Sequence, residues 1–129
     1  MIKMVVEVWR RPDLTREAFD HRWLVEHGAL VKKHAKAMGF VRYIQSHKKE
    51  SAAMDAFTKL RGWKPPPDGI TEVWWESLAL MEAALNSPEG QAASKELQAD
   101  EAQFCDVDRL SAFLSEEDVI FDYTKQSRS

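Results

Sequence analysis

Gly39-Phe40-Val41-Arg42-Tyr43-Ile44-Gln45-Ser46-His47 is the stretch where a helical pattern gives way to a strand. Glycine ends helices readily because it adopts the left-handed conformation without a Cβ penalty. The residues after it are rich in aromatic and β-branched side chains, which suit a pleated surface. Period-two alternation places Val41, Tyr43, Gln45 and His47 on one face. Upstream, Ala18, Phe19, Trp23, Leu30 and Val31 form an apolar stripe at helical spacing, with His27 and His34 on it and His21 off it. Leu14 and Phe19 stand as a hydrophobic staple around an N-cap at Thr15. Gly28 is expected to break or kink this helix near its middle. Before the helix, Ile2 to Trp9 reads as a strand, and Pro12 bars its continuation because proline cannot donate to a ladder.

Downstream, Lys48 to Trp63 is a charged connection with a short helix expected around Ala52 to Leu60, and Pro65-Pro66-Pro67-Asp68-Gly69 has the chemistry of a turn. Ile70 to Glu76 is a third strand, with Ile70, Glu72, Trp74 and Glu76 on one face and Thr71, Val73 and Trp75 on the other. Ser77 caps a helix over Leu78 to Asn86. Ser87-Pro88 interrupts it, and a second helical run extends from Glu89 to about Gln103 with Ala93, Leu97, Asp100 and Phe104 on one face. A last strand falls near Asp108 to Ser115, followed by a polar tail, Glu116 to Ser129, that carries an apolar patch at Val119-Ile120-Phe121.

The order strand, helix, strand, strand, helix, strand predicts an α+β fold: a ferredoxin-like βαββαβ protomer with a four-stranded antiparallel sheet and helices on one face only. One domain is expected over 1–129, with its core in 2–115. The uncovered face of the sheet has to be buried, and pairing with a second copy, a homodimer, is the simplest way to do it.

The 129 residues are 44% hydrophobic and 30% charged, a globular rather than a disordered composition. A net charge of −3 argues against a nucleic-acid partner, which calls for clustered positive charge. No segment approaches the roughly eighteen apolar residues of a membrane span. The opening residues read as a strand and not as a cleavable signal. The single cysteine, Cys105, suits a reducing compartment, so a cytoplasmic location is expected. Five tryptophans in so short a chain point to a lined pocket or an interface.

Four residues have the chemistry of acid–base work. His27 lies on the apolar stripe between Trp23 and Leu30, where partial burial favours a neutral imidazole able to accept a proton near pH 7. Its alternative role is a packed histidine bonded to backbone. Tyr43 and His47 share a strand face with their Cα atoms roughly 13 Å apart, too far for a direct pair but suited to opposite ends of one small substrate. Glu72, between Ile70 and Trp74, is expected to be partly desolvated and so to act as an acid or base, or else to pair with Arg42. Asp100, beside Leu97 and Phe104, either meets substrate or orients an imidazole. Trp23 and Trp74 are expected to wall a cavity that receives a flat apolar ligand. No metal site is expected: no histidine pair at i,i+4 brackets a glutamate, and His27 and His34 are about 10 Å apart along a helix. Phosphate-loop, nucleophile-elbow and dinucleotide fingerprints do not occur.

Arg10-Arg11-Pro12-Asp13-Leu14-Thr15 followed by Phe19, Trp23-Leu24 and Glu26-His27-Gly28-Ala29-Leu30 resembles the opening of the EthD domain family. Arg42 to His47 resembles that family's second strand, and Asp68 to Trp75 with Ser77-Leu78 its third strand and helix entry. Asp100-Glu101 and Phe104 match its acidic-aromatic helix ending. The resemblance implies a dimeric α+β barrel, whose relatives include polyketide cyclases, cofactor-free monooxygenases, muconolactone isomerases and fungal dehydratases. Together these readings lead to the expectation of a cofactor-independent lyase or dehydratase, isomerase or cyclase, acting on a small, largely apolar aromatic or oxygenated compound. His27 and His47 would carry protons, Tyr43 and Glu72 would polarise, and Trp23, Trp74, Asp100 and Phe104 would surround the substrate. The competing expectation is a non-catalytic ligand-binding or accessory protein of a catabolic pathway.

Overall fold

Strand β1 (Ile2–Val8) alternates Ile2, Met4, Val6 and Val8 with Lys3, Val5 and Glu7, so that one row is wholly apolar and the other carries the charges. In the computed structural model, which describes residues 1–125, the apolar row turns toward the helices. Helix α1 (Arg16–His21) starts as the sequence indicates: the Thr15 side chain accepts from the Ala18 N–H, and Leu14 packs on the cluster that contains Phe19.

Gly28 does not break the helix. The chain widens instead into a π-helical segment, Arg22–His27, that runs on into α2 (Gly28–Met38), with the Gly28 N–H reaching back to the Trp23 carbonyl. The reason is visible in the buried positions, Phe19, Trp23, His27 and Val31, which recur every four residues. In a regular α-helix a spacing of four drifts by about 40° per step. A wider turn cancels that drift and keeps all four side chains on the sheet. Gly39 closes α2 in the left-handed conformation, at φ 76°.

β2 (Arg42–His47) leads to α3 (Ala52–Leu60), a helix with no buried residue, and then to β3 (Gly69–Trp75). Ser77 caps α4 (Leu78–Asn86), and Ser87 caps α5 (Pro88–Glu101). A single 3₁₀ turn, Val107–Arg109, takes up the first part of the expected last strand, so β4 is confined to Ser111–Ser115. The sheet order is β2-β3-β1-β4 with every pairing antiparallel, which is the ferredoxin-like α+β arrangement. Of the polar tail, Gln126 to Ser129 lie outside the described residues.

The register fixes which side chains share a face. Lys3 pairs with Trp74, Val5 with Glu72 and with Phe113, and Glu72 with Ile44. These residues therefore point away from the helices. Met4, Val6, Tyr43, Thr71 and Val73 point toward them. The helix side is filled by two clusters. One joins Val8, Phe19, Trp23, Phe104 and Cys105, and the other joins Val31, Met38, Ala93 and Leu97. At the start of β3, Gly69 is required for size: a Cβ there would sit 2.5 Å from the Trp23 ring and 2.6 Å from the Ser46 carbonyl oxygen. Among the described residues no helix is long and apolar enough to cross a membrane.

Candidate functional site

Between the two clusters, under the helices, lies a cavity of about 530 Å³. Its walls are mostly apolar, with Val6, Val31, Val73, Leu97 and Phe104 among them, and among the described residues no lysine or arginine lines it. His27 enters from the π turn and is only 5% exposed, with its ring 5.0 Å from that of Phe104. Its Nδ1 lies 2.8 Å from an Asp100 oxygen on α5, and the other Asp100 oxygen accepts from Arg22. A carboxylate at Nδ1 holds the proton there and leaves the Nε2 lone pair free. Burial lowers the His27 pKa by more than the Asp100 carboxylate raises it, so the ring is neutral near pH 7. Burial alone would raise Asp100, but hydrogen bonds from His27 and Arg22 outweigh it and hold this carboxyl below its usual range.

Nε2 faces Glu101, at 3.9 Å. Desolvation, reinforced by the neighbouring Asp100 charge, pushes the Glu101 carboxyl up to about 7. A neutral imidazole and a carboxyl whose pKa is raised to about 7 thus flank one point in a largely apolar cavity, and a second carboxylate, Asp100, holds the imidazole from behind. Tyr43 stands in the same cavity. Burial raises its pKa, against the effect of hydrogen bonds from Gln45, Trp23 and Thr71, so it is a neutral phenol. The Cys105 thiol also lines the chamber, but burial pushes it up to about 12, which makes it a wall and not a nucleophile. Among the described residues no group of three or more His, Cys, Asp and Glu side chains is placed to hold a metal ion.

The structure brings together His27, Tyr43, Trp23 and Phe104 around the cavity, with Asp100 behind His27. It separates the other three expected residues from them. Glu72 lies on the opposite face of the sheet, 2.6 Å from Lys3 on β1, and not in the ion pair with Arg42 that strand adjacency suggested. Trp74 is on that face too, with the Arg42 guanidinium 4.5 Å and the Lys3 ammonium 5.4 Å from its ring. The register of β1 with β3 puts both there, because charged Lys3 and apolar Met4 have opposite preferences for the interior. His47 keeps the cavity side of β2 but stacks on the outer surface of Trp23, ring centroids 4.2 Å apart, and bonds Asp20 and Gln45. Glu101, on the cavity wall, and Gln45, bonded to Tyr43 beside it, carried no assigned role in the sequence reading. Glu101 follows Leu97 by one turn, and Gln45 lies between Tyr43 and His47 on their shared face.

The EthD domain model matches residues 11–108 of the chain. Among solved structures, the fold is similar to that of an EthD family protein from Bacillus halodurans C-125, with 19% identity, TM-score 0.59, and 91% of this chain and 98% of that one covered. It is also similar to SnoaB, a cofactor-independent oxygenase from Streptomyces nogalater, with 12% identity, TM-score 0.51 and coverage of 94% and 97%. A dimeric ferredoxin-like protein from Thermobifida fusca YX shares the fold at 13% identity, TM-score 0.54 and 88% coverage of both chains. No curated protein matches the chain significantly. With the family model covering most of its length and every element between β1 and α5 in place, the chain belongs to the EthD domain family.

Proposed function

We propose that the protein is an enzyme that moves protons on a small, largely apolar aromatic or oxygenated compound without a cofactor, as a lyase or dehydratase, an isomerase or a cyclase. The observation that carries this reading is the Asp100–His27 pair, whose free Nε2 opens toward Glu101 inside an apolar cavity. Asp100 fixes the tautomer and stabilises the imidazolium as it forms, His27 Nε2 takes a proton from the bound compound, and Glu101 exchanges a proton at the same point. The Tyr43 hydroxyl stabilises charge that develops on a substrate oxygen. SnoaB, which has this fold, is a cofactor-independent oxygenase, which supports the reading that a protein of this fold can work without a cofactor.

The test needs no natural substrate. An enolisable aromatic ketone such as 2-tetralone is incubated in deuterated buffer, and exchange of its α-hydrogens is followed by NMR. Exchange above the buffer rate that falls about 10²–10⁴-fold in His27→Gln supports the reading. Saturable binding of such ketones with no exchange above buffer refutes it in favour of a non-catalytic binding protein.

The open face of the sheet supports the second part of the proposal, a homodimer. Val5, Ile44, Ile70 and Phe113 face away from the helices, and Phe113 is 60% exposed. The Thermobifida fusca protein of this fold is dimeric. Pairing through this face should bury well over ~1,000 Å². A monomer at micromolar concentration by light scattering would count against it.

A further inference from the structure

We infer that Gln45 is a positioning residue that turns the Tyr43 hydroxyl into a fixed hydrogen-bond donor, so that the cavity takes an uncharged ligand presenting a carbonyl oxygen to Tyr43. The inference deepens the acid–base reading of the same cavity and rests on it.

The argument starts at the backbone. The Trp23 carbonyl, in the π turn, accepts from the Gly28 N–H and also from the Gln45 side-chain nitrogen at 2.8 Å. A carbonyl oxygen only accepts, so it settles which end of the Gln45 amide points toward it. The opposite end, Oε1, then meets His47 Nε2 at 2.8 Å, and His47 is itself anchored through Nδ1 to Asp20 at 2.9 Å. With its amide pinned at both ends, Gln45 has one remaining N–H direction, and Tyr43 Oη lies along it at 2.9 Å.

Gln45 therefore donates to Tyr43, and the phenol oxygen must accept. With the Gln45 donor at 2.9 Å occupying the strand side of its oxygen, the Tyr43 hydroxyl is left to donate into the chamber that Tyr43 lines. Across the chamber the polarity is reversed: His27 Nε2 is an acceptor, and Glu101 is half ionised near neutral pH. Among the described residues no lysine or arginine lines the space to receive a carboxylate. A ligand that fits these groups offers an acceptor oxygen to Tyr43 and an acidic C–H or O–H to His27. An enolisable or phenolic ketone has both, and an aryl carboxylate has neither the charge match nor the donor.

The probes are 1-tetralone, its hydrocarbon counterpart tetralin, and 1-naphthoate, with binding read by tryptophan emission and the carbonyl stretch of bound ¹³C-labelled 1-tetralone read by isotope-edited infrared difference spectra. The expected result is that 1-tetralone binds more tightly than tetralin by about three- to ten-fold, that 1-naphthoate binds most weakly, and that the bound carbonyl stretch moves to lower frequency. Tyr43→Phe should abolish the frequency shift. Gln45→Glu should abolish it too, because the new carboxylate accepts the phenol proton and turns it away from the ligand. Gln45→Met, which removes the amide at similar size, should reduce the shift and the ketone preference together, and decides the matter if Gln45→Glu does not fold. A frequency shift unchanged in folded Gln45→Met, or 1-naphthoate binding better than 1-tetralone, overturns the inference. Tetralin binding without 1-tetralone binding overturns it alone, whereas failure of both to bind overturns the acid–base cavity as well.

Discussion

Replacing Gly69 by alanine sets two effects of opposite sign against each other. In an ordinary strand the change is stabilising by roughly 0.5–1 kcal/mol, since the glycine loses more conformational freedom on folding. Here the added Cβ would lie 2.5 Å from two atoms of the Trp23 ring, Cη2 and Cζ3, and 2.6 Å from the Ser46 carbonyl oxygen. Trp23 is fully buried between Phe19 and His47 and has no free rotamer to retreat into. Overpacking of this kind costs about 1–3 kcal/mol, so the steric term wins. For a chain of this length the melting temperature should fall by roughly 4–15 °C in thermal circular dichroism. A double-mutant cycle isolates the cause. Trp23→Phe removes the two ring atoms concerned, so Gly69→Ala should cost at least ~1 kcal/mol less in that background, with the Ser46 contact accounting for the remainder. An equal penalty in both backgrounds, or a stabilised Gly69→Ala, refutes the claim that Trp23 is wedged against β3.

The Glu101 carboxyl, raised above its unfolded value, stabilises the fold fully below about pH 4.5 and loses that contribution as pH rises through about 7. Glu101→Gln should therefore melt about 2–5 °C above wild type at pH 8 and show no advantage at pH 5, which a pH series of melting curves checks. Asp100→Asn should slow ketone deuterium exchange about 10–100-fold while leaving probe affinity within about two-fold, because it disturbs the tautomer and not the walls. Native Cys105 should resist iodoacetamide at pH 8 and react promptly once urea unfolds the chain, a contrast visible by mass spectrometry. Phe113→Glu, on the open face of the sheet, should shift a dimer to monomer in light scattering while far-ultraviolet circular dichroism stays unchanged.

Local signals carried most of the fold. Thr15 and Ser77 are side-chain caps, Gly39 needs its left-handed conformation, and a helix spans Ala52 to Leu60, where a short one was expected within the charged connection. The departures involve relations that no single segment encodes. Alternation in β3 separates Glu72 and Trp74 from Thr71 and Val73, but which set turns inward depends on pairing with β1, where Lys3 opposite Trp74 decides the matter. His27 and Asp100 were both legible as residues on apolar helical faces, 73 positions apart, and their contact is a product of helix packing. Glu101 is an ordinary acid in sequence and acquires its altered proton affinity from desolvation and from the Asp100 charge beside it, both products of the fold. The widened turn at Arg22–His27 likewise answers to a four-residue burial rhythm that reads, on its own, as a simple stripe.

The last turn of α5 contains two acids and no base, the wrong charge for the negative end of a helix dipole. By itself that end is poorly made. The missing positive partners arrive from another part of the chain, Arg22 and the Nδ1–H of His27, both on the π turn. Completing the helix and assembling the acid–base pair are therefore one event. The contact that compensates the end of α5 is thus the same one that fixes the orientation of the His27 ring, so strengthening the helix end and aligning the imidazole draw on a single side chain, Asp100.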